Sequence, residues 1–313
     1  MAGFLLKTEQ LTIGFNGSDL LCKLNLELRA GELTCLMGPN GIGKSTLIHV
    51  LGGLSGPVSG HIVLAGSGNR ASQVSVVLTG RTADPQLTAG ELVLLGRYPY
   101  LGWHLKTTAR DQEIISHAMA VTGTQHLKDR QAGTLSDGQF QMVMIARAIA
   151  QETPVILLDE PTSHLDLNNR VETMNLLKHL CRTNGKAVLI STHELDLALQ
   201  SADRIWLANR DKTIREGIPE DLVLSGEIDR VFGLKGFSLK TGKIERKEPR
   251  ARRFNVRGEG YALLWTRNAL ERTGFEADHE DGEEIRVEES EGAFRWHHGD
   301  RSFFDLQSLL ESL

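Results

Sequence analysis

Gly38-Pro39-Asn40-Gly41-Ile42-Gly43-Lys44-Ser45 lies between an apolar run (Leu33, Cys35, Leu36, Met37) and a helically spaced one (Leu47, Ile48, Val50, Leu51). A Gly-x-x-x-x-Gly-Lys-Ser stretch joining a strand to a helix is a phosphate-binding loop. Its glycines let several backbone N–H groups turn toward one point, the positive end of the following helix faces that point, and Lys44 completes a cradle for a polyanion. The expected ligand is a nucleoside triphosphate with Mg²⁺, held by Gly38 to Ser45 and by Thr46.

Outward from that loop the pattern alternates. Leu11 to Phe15, Leu24 to Leu28, Leu33 to Met37, His61 to Leu64 and Val74 to Leu78 read as short strands. From Thr88 to about Arg130 the apolar period becomes helical, and Gln139 to Ala150 continues it, so a helical subdomain over about 88 to 150 is expected. Val155 to Leu158 is a continuous apolar segment suited to a strand buried on both faces, followed by helix (Asn169 to Thr183), strand (Ala187 to Ser191), helix (Leu195 to Ser201) and strand (Arg204 to Ala208). Such alternation builds a parallel α/β sheet.

Around Lys243 to Arg257 seven basic residues stand against two acidic ones with Pro249 among them, which reads as a linker over 241 to 257. Beyond it, 258 to 313 reads as a small α+β appendage: a strand over Tyr261 to Trp265, a helix over Thr266 to Thr273, hairpin strands at Ile285 to Val287 and Phe294 to His297, and an amphipathic helix over Phe303 to Leu313. Residues 276 to 291 carry nine acidic side chains, which could dock a basic partner or the basic linker, or form a solvated turn. His297-His298 has no cysteine or carboxylate at ligand spacing and reads as a surface or strand pair rather than a metal site.

Bulk properties narrow the function. The 313 residues are 40% hydrophobic and 24% charged, ordinary for a globular protein, and the net charge of −5 carries no basic footprint for nucleic acid. No apolar stretch reaches the ~18 to 20 residues of a membrane span. The opening Met-Ala-Gly-Phe-Leu-Leu-Lys-Thr-Glu turns polar too soon for a signal peptide, so residence in the cytosol is expected. Cys22, Cys35 and Cys181 are scattered and read as small buried hydrophobes.

Two further motifs carry chemistry. Asp159-Glu160 ends the buried run from Val155, at the sheet edge where ligands of parallel sheets sit. Mg²⁺ requires hard oxygen ligands, so Ser45 and Asp159 are the natural pair, leaving Glu160 as general base or water-positioner. Leu135-Ser136-Asp137-Gly138-Gln139 opens a helix and offers hydroxyl and N–H groups at its tip, a second anion-facing surface.

In this order, the motifs over residues 1 to about 240 resemble the ATP-binding subunit of an ATP-binding cassette (ABC) transporter. The resemblance implies a P-loop ATPase with a helical insertion, consuming ATP with Mg²⁺. Gly38 to Ser45 then matches Walker A, Asp159 closes Walker B, Glu160 matches the catalytic glutamate, and Ser136, Asp137, Gly138 and Gln139 match the signature. Ser163-His164-Leu165-Asp166 resembles the D-loop, His193 the switch histidine that contacts the γ-phosphate, and Phe15 the aromatic that stacks on adenine. Lys44, Glu160 and His193 are the implied catalytic set. The family arrangement implies a second copy placed head to tail, so that the signature of one closes over the nucleotide of the other. Two positions depart from the family pattern: Asp137 stands where glycine is commonest, and Thr79 stands where the Q-loop glutamine belongs, with Gln86 a possible substitute.

Only about 90 residues separate Lys44 from Ser136, leaving no room for coiled-coil arms, and a single cassette argues against tandem translation-factor types. Glu91 to Tyr100 with Leu101-Gly-Trp103, and Thr213 to Val231, are similar to importers of iron-siderophores, haem and cobalamin. That likeness implies separate integral membrane permease subunits, an indirectly engaged substrate-binding protein, and a peripheral location on the cytoplasmic face of the membrane. Arg97, Tyr98, Tyr100 and Trp103 are expected to form a surface patch where a permease helix docks. The rival reading is a non-transport regulatory ATPase acting through its appendage, and a third gives the appendage a purely dimerising role.

Overall fold

The computed structural model describes residues 3–15, 17–81, 83–102, 106–163, 165–234, 237–239, 243–244, 252–277, 280–290 and 293–313. Trp103, His164, residues 245–251, Asp278 and Glu291 lie outside them. The chain divides into two compact units, Met1–Lys243 and Ile244–Leu313.

The first unit opens with an antiparallel layer in which β1 (Phe4–Phe15) is flanked by β2 (Ser18–Leu24) and β3 (Glu27–Arg29). Leu24 to Leu28 is therefore not one strand. Lys23 has φ +52° and Asn25 turns its side-chain oxygen to the Gln10 N–H at 2.9 Å, so the chain crosses from one side of β1 to the other. Next come β4 (Leu33–Met37), α1 (Lys44–Gly52) and β5 (Ser59–Leu64), which returns to pair with β1.

After β6 (Val74–Val77), the helical insertion contains α2 (Ala89–Leu94), α3 (Ala109–Val121) and α4 (Asp137–Ala150). Each begins with a reciprocal capping box, Thr88 with Glu91, Thr108 with Asp111 and Ser136 with Gln139, which satisfies N–H groups left over at a helix start. The remaining elements are β7 (Val155–Asp159), α5 (Leu167–Asn184), β8 (Ala187–Ser191), α6 (Leu195–Ser201), β9 (Arg204–Ala208), β10 (Ile214–Gly217), α7 (Pro219–Leu224) and α8 (Glu227–Phe232).

The central sheet runs β10-β9-β4-β8-β7-β6, parallel except for β10. Every residue of β4, β7 and β8 is buried because both faces are covered. Alternate residues divide between two cores. Leu33, Cys35, Ile156, Leu158, Val188 and Ile190 face the helical insertion and α5, whereas Leu36, Leu157, Leu189 and Trp206 face α1 and the antiparallel layer. This is the expected α/β fold with an inserted helical subdomain.

Arg97 is not a surface residue. It is 4% exposed, its Nε donates to Asp111 at 2.9 Å and its Nη1 to Glu152 at 2.8 Å, and its guanidinium lies over the Tyr100 ring. A residue this buried needs paired charges, and α3 supplies one of them through Asp111. Only Tyr98 and Tyr100 of the expected patch are exposed among the described residues. Cys35 and Cys181 are buried and Cys22 is partly buried; all three are free thiols.

After β11 (Phe237–Ser238) and β12 (Lys243–Ile244), the second unit builds a mixed sheet from β13 (Arg253–Arg257), β14 (Glu276–Ala277), β15 (Glu283–Ser290), β16 (Ala293–His298) and β17 (Arg301–Phe303), ordered β14-β13-β15-β16-β17. Helix α9 (Gly260–Arg272) and α10 (Leu306–Glu311) complete it. Three expectations change here. Tyr261 to Trp265 is helix: Ala262, Thr266, Ala269 and Leu270 are buried at helical spacing while Tyr261, Leu264 and Trp265 are exposed. Phe303 ends a strand, and the terminal helix is shorter than read.

The basic stretch 253 to 257 is strand β13, and acidic β14 and β15 lie on either side of it. Arg253 pairs with Glu276 at 3.0 Å, Arg257 with Glu284 at 3.5 Å, and Arg252 with Glu283 at 2.8 Å. Over 252 to 257 the basic residues are thus cross-strand partners within one sheet rather than part of a solvated linker. Trp296, whose Nε1 donates to Thr266 Oγ1 at 2.6 Å, packs with Phe254, Ile285, Leu270 and Leu309 as the core.

Candidate active site

The loop from Gly38 to Gly43 leaves β4 at its carboxyl end and enters α1. Gly38 has φ +148° and a Cβ there would stand 2.7 Å from the Ala208 carbonyl oxygen, while Gly43, at φ +109°, caps α1 in a left-handed conformation. Both positions demand glycine for steric reasons. Lys44 is buried, its Nζ donating to the Gly38 and Pro39 carbonyls at 2.8 and 3.2 Å. Burial pulls its pKa below the usual lysine value, and the nearby Glu160 and Asp159 charges oppose that.

A cavity of about 520 Å³ opens over this loop, lined by Phe15, Leu20, Asn40, Gly41, Gly43, Lys44, Ser45, Thr46 and Glu160. Phe15, at the end of β1, is 65% exposed and lines it. Asp159 and Glu160 arrive from β7. Here Ser191, at the end of the neighbouring β8, holds both: its Oγ donates to Asp159 Oδ1 at 2.6 Å and accepts the Glu160 N–H at 2.9 Å. Glu160 has φ +46°, a backbone state that a non-glycine residue adopts only when held. His193 Nδ1 lies 3.7 Å from Glu160 Oε2, close but beyond hydrogen-bond range. Ser191 was not among the residues singled out from the sequence; its one signal is its place two residues before His193 at the end of an apolar run.

Thr79 Oγ1 donates to the Asp159 carbonyl at 2.8 Å, tying the end of β6 to the end of β7. Gln86 is exposed, its own N–H bonded to Asp84. Ser136 caps α4, with its Oγ accepting the Gln139 N–H at 3.2 Å, and Asp137 occupies the first helical turn. Gly138 faces Leu165 and Asn169, so the starts of α4 and α5 lie side by side. Asp166 caps α5 by accepting the Asn169 N–H at 2.9 Å. Arg170 joins the same region to the segment after His193, with Nε on the Leu165 carbonyl at 2.7 Å and Nη1 3.0 Å from Glu194. None of Ser136, Asp137, Gly138, Gln139 or Asp166 lines the cavity over the glycine loop.

Among the described residues no three His, Cys, Asp or Glu side chains cluster as a metal site. The donor chemistry nevertheless fits a Mg²⁺ brought with phosphates, because Ser45 and Asp159 offer hard oxygens and such an ion keeps most of its shell for phosphate and water. No helix of the described residues is long and apolar enough to cross a membrane.

Comparison with known proteins decides the family. The ferric enterobactin transport ATP-binding protein FepC of Escherichia coli K12 is 35% identical over 237 residues, covering 74% of this chain and 88% of that protein. The chain belongs to the ATP-binding subunits of ABC transporters. Residues 21–163 of this ABC ATPase match the family described as ABC transporter, and residues 251–313 match the iron ABC transporter C-terminal domain. A metal-chelate-type ABC transporter in an inward-facing conformation aligns with a TM-score of 0.68 and 29% identity over 74% of this chain and 90% of its own. A dimeric bacterial ABC transporter cassette aligns with a TM-score of 0.61 and 28% identity over 68% of this chain and 98% of its own. The ABC ATPase is accordingly an ATP-binding and ATP-hydrolysing subunit of an ABC importer.

Proposed function

We propose that this ABC ATPase drives import of an iron-siderophore, haem or cobalamin-type cargo through separate permease subunits, from the cytoplasmic face of the membrane. The observation that carries the chemical part is the meeting of Glu160, Lys44 and the glycine loop around one cavity, with Ser191 fixing the strand end that delivers the carboxylates. The cargo class is supported by the appendage, which matches an iron-transporter domain, and by the ferric enterobactin relative.

In this reading the backbone N–H groups of Gly38 to Thr46 and the Lys44 ammonium cradle the triphosphate, and Phe15 stacks on the base. Ser45 and Asp159 hold the Mg²⁺, which supplies charge neutralisation at the phosphates when bound. Glu160 accepts a proton from the attacking water as its oxygen bonds to the γ-phosphorus and the bond to the β–γ bridging oxygen breaks. His193 contacts the γ-phosphate. Ser136, Asp137, Gly138 and Gln139 of one copy close over the phosphates held by the other, with Asp166 near the same seam. Thr79 cannot reach as a glutamine would, and serves instead to hold the end of β7 through its carbonyl.

Co-purification with a permease followed by ATPase assay in lipid vesicles tests the function. Hydrolysis stimulated by an iron-chelate or corrinoid cargo with its binding protein is the expected result. A permease-bound complex whose ATPase ignores every such cargo would contradict it.

A further inference from the structure

Thr79-Gly80-Arg81 spans two parts of the site at once. While Thr79 holds the Asp159 carbonyl, Arg81 reaches the loop that starts α4. Its Nη2 donates to the Leu135 carbonyl at 2.6 Å and its Nη1 to the Ala132 carbonyl at 3.2 Å. Nε and Nη2 both donate to Asp137 Oδ1, at 3.1 and 2.9 Å, and the guanidinium lies 5.3 Å from the centre of the Phe140 ring. One side chain thus grips two carbonyls before the helix, the carboxylate in its first turn and an aromatic ring one turn in. A planar fork with five donors suits this task; a lysine would not span it.

Asp137 creates the need for it. A carboxylate at a helix N-terminus is favourable in the free protein, but it repels any second anion brought to the same helix tip. Ser136 Oγ already accepts the Gln139 N–H, which leaves its own proton for an outside acceptor. We propose that Arg81 is a positioning residue for ATP hydrolysis: it neutralises Asp137 and fixes the Leu135–Asp137 loop so that the tip of α4 receives the triphosphate held by a second copy of this chain. Through Thr79 the same three-residue strap ties that loop to the β7 end carrying Asp159 and Glu160. The inference rests on the head-to-tail reading of the signature.

The test is ATPase activity against ATP concentration for the full chain. Arg81→Ala should lower kcat/KM about tenfold, as an uncompensated like charge at an anion site would. Adding Asp137→Gly to that variant should restore kcat/KM to within about threefold of wild type, because removing the carboxylate removes the need for the counter-charge. Arg81→Lys, which keeps charge but loses the fork, should fall between them. High salt should narrow the Arg81→Ala deficit. A merely loosened loop would not be rescued by Asp137→Gly, so a double variant no better than Arg81→Ala overturns the proposal, as does Arg81→Ala within twofold of wild type. Mixing Lys44→Ala with Ser136→Arg protomers separates the two levels. With activity gained on mixing, absent rescue sinks only the role of Arg81; with no gain, the head-to-tail reading falls and the proposal with it.

Discussion

Each of the two units of this chain has its own kind of internal packing. In Met1–Lys243 the sheet is buried on both faces and its strand ends deliver named chemistry: glycines that tolerate no Cβ, a lysine turned onto its own loop, and a serine that holds an acid pair. In Ile244–Leu313 a small core around Phe254 and Trp296 is supplemented by exposed ion pairs between neighbouring strands. Chemistry at a site demands particular residues at particular positions, whereas a small sheet accepts any apolar set of suitable volume and any compatible charges.

The largest effect is expected at Glu160, the proposed base. Glu160→Gln should cut ATPase turnover by about 10²- to 10⁴-fold while leaving melting unchanged, since Glu160 is not part of the core; turnover near wild type would remove Glu160 from its assigned role. Next in size is Arg97→Ala, which strands the Asp111 carboxylate in the insertion and should cost about 3 kcal/mol in chemical denaturation. The same pair sharpens the acid limb. Hydrogen bonds from the Thr108 side chain and backbone, and then from Arg97, hold the Asp111 carboxyl down to about 2. Its folded pKa lies below its unfolded one, so its contribution is present above about pH 4 and lost as pH falls toward 2. Asp111→Asn should flatten that part of the acid unfolding curve; an unchanged curve would contradict the pairing.

Smaller effects belong to the second unit. Trp296→Phe deletes the hydrogen bond to Thr266 and should destabilise by about 1 kcal/mol, with basal ATPase unaltered. Arg253→Ala removes a largely exposed pair with Glu276 and should cost about 0.5 kcal/mol or less. A loss of ATPase in either variant, measured below its melting transition, would erase the functional contrast between the units.

How far the molecule was legible follows the same division. The strands Ala187–Ser191 and Arg204–Ala208 appear with the limits read from apolar runs, because burial on both faces leaves little polar ambiguity, and the helix Leu195–Ser201 between them appears with its limits too. The glycine loop, Asp159-Glu160 and His193 are legible because each ends an apolar run with residue types suited to phosphate chemistry. Ser191 did not: a serine at a strand end is common, and only its geometry reveals that it bonds both Asp159 and the Glu160 backbone. Arg97 beside two tyrosines looked like a docking patch, since no local pattern announces that partners 14 and 55 positions away bury it. Tyr261 to Trp265 and the basic strand β13 were misread for a related reason. A short apolar run has no decisive period, and a charge-rich strand is recognisable only once its acidic neighbours are in place.

We propose that the catalytic site is shared between two copies, the glycine cradle of one facing the serine-led helix tip of the other. Mixing Lys44→Ala and Ser136→Arg protomers, each inactive alone, tests it most directly. Head-to-tail pairing leaves one intact composite site in each mixed dimer, so ATPase should rise clearly above either variant by itself. A mixture no more active than its components would contradict the shared site.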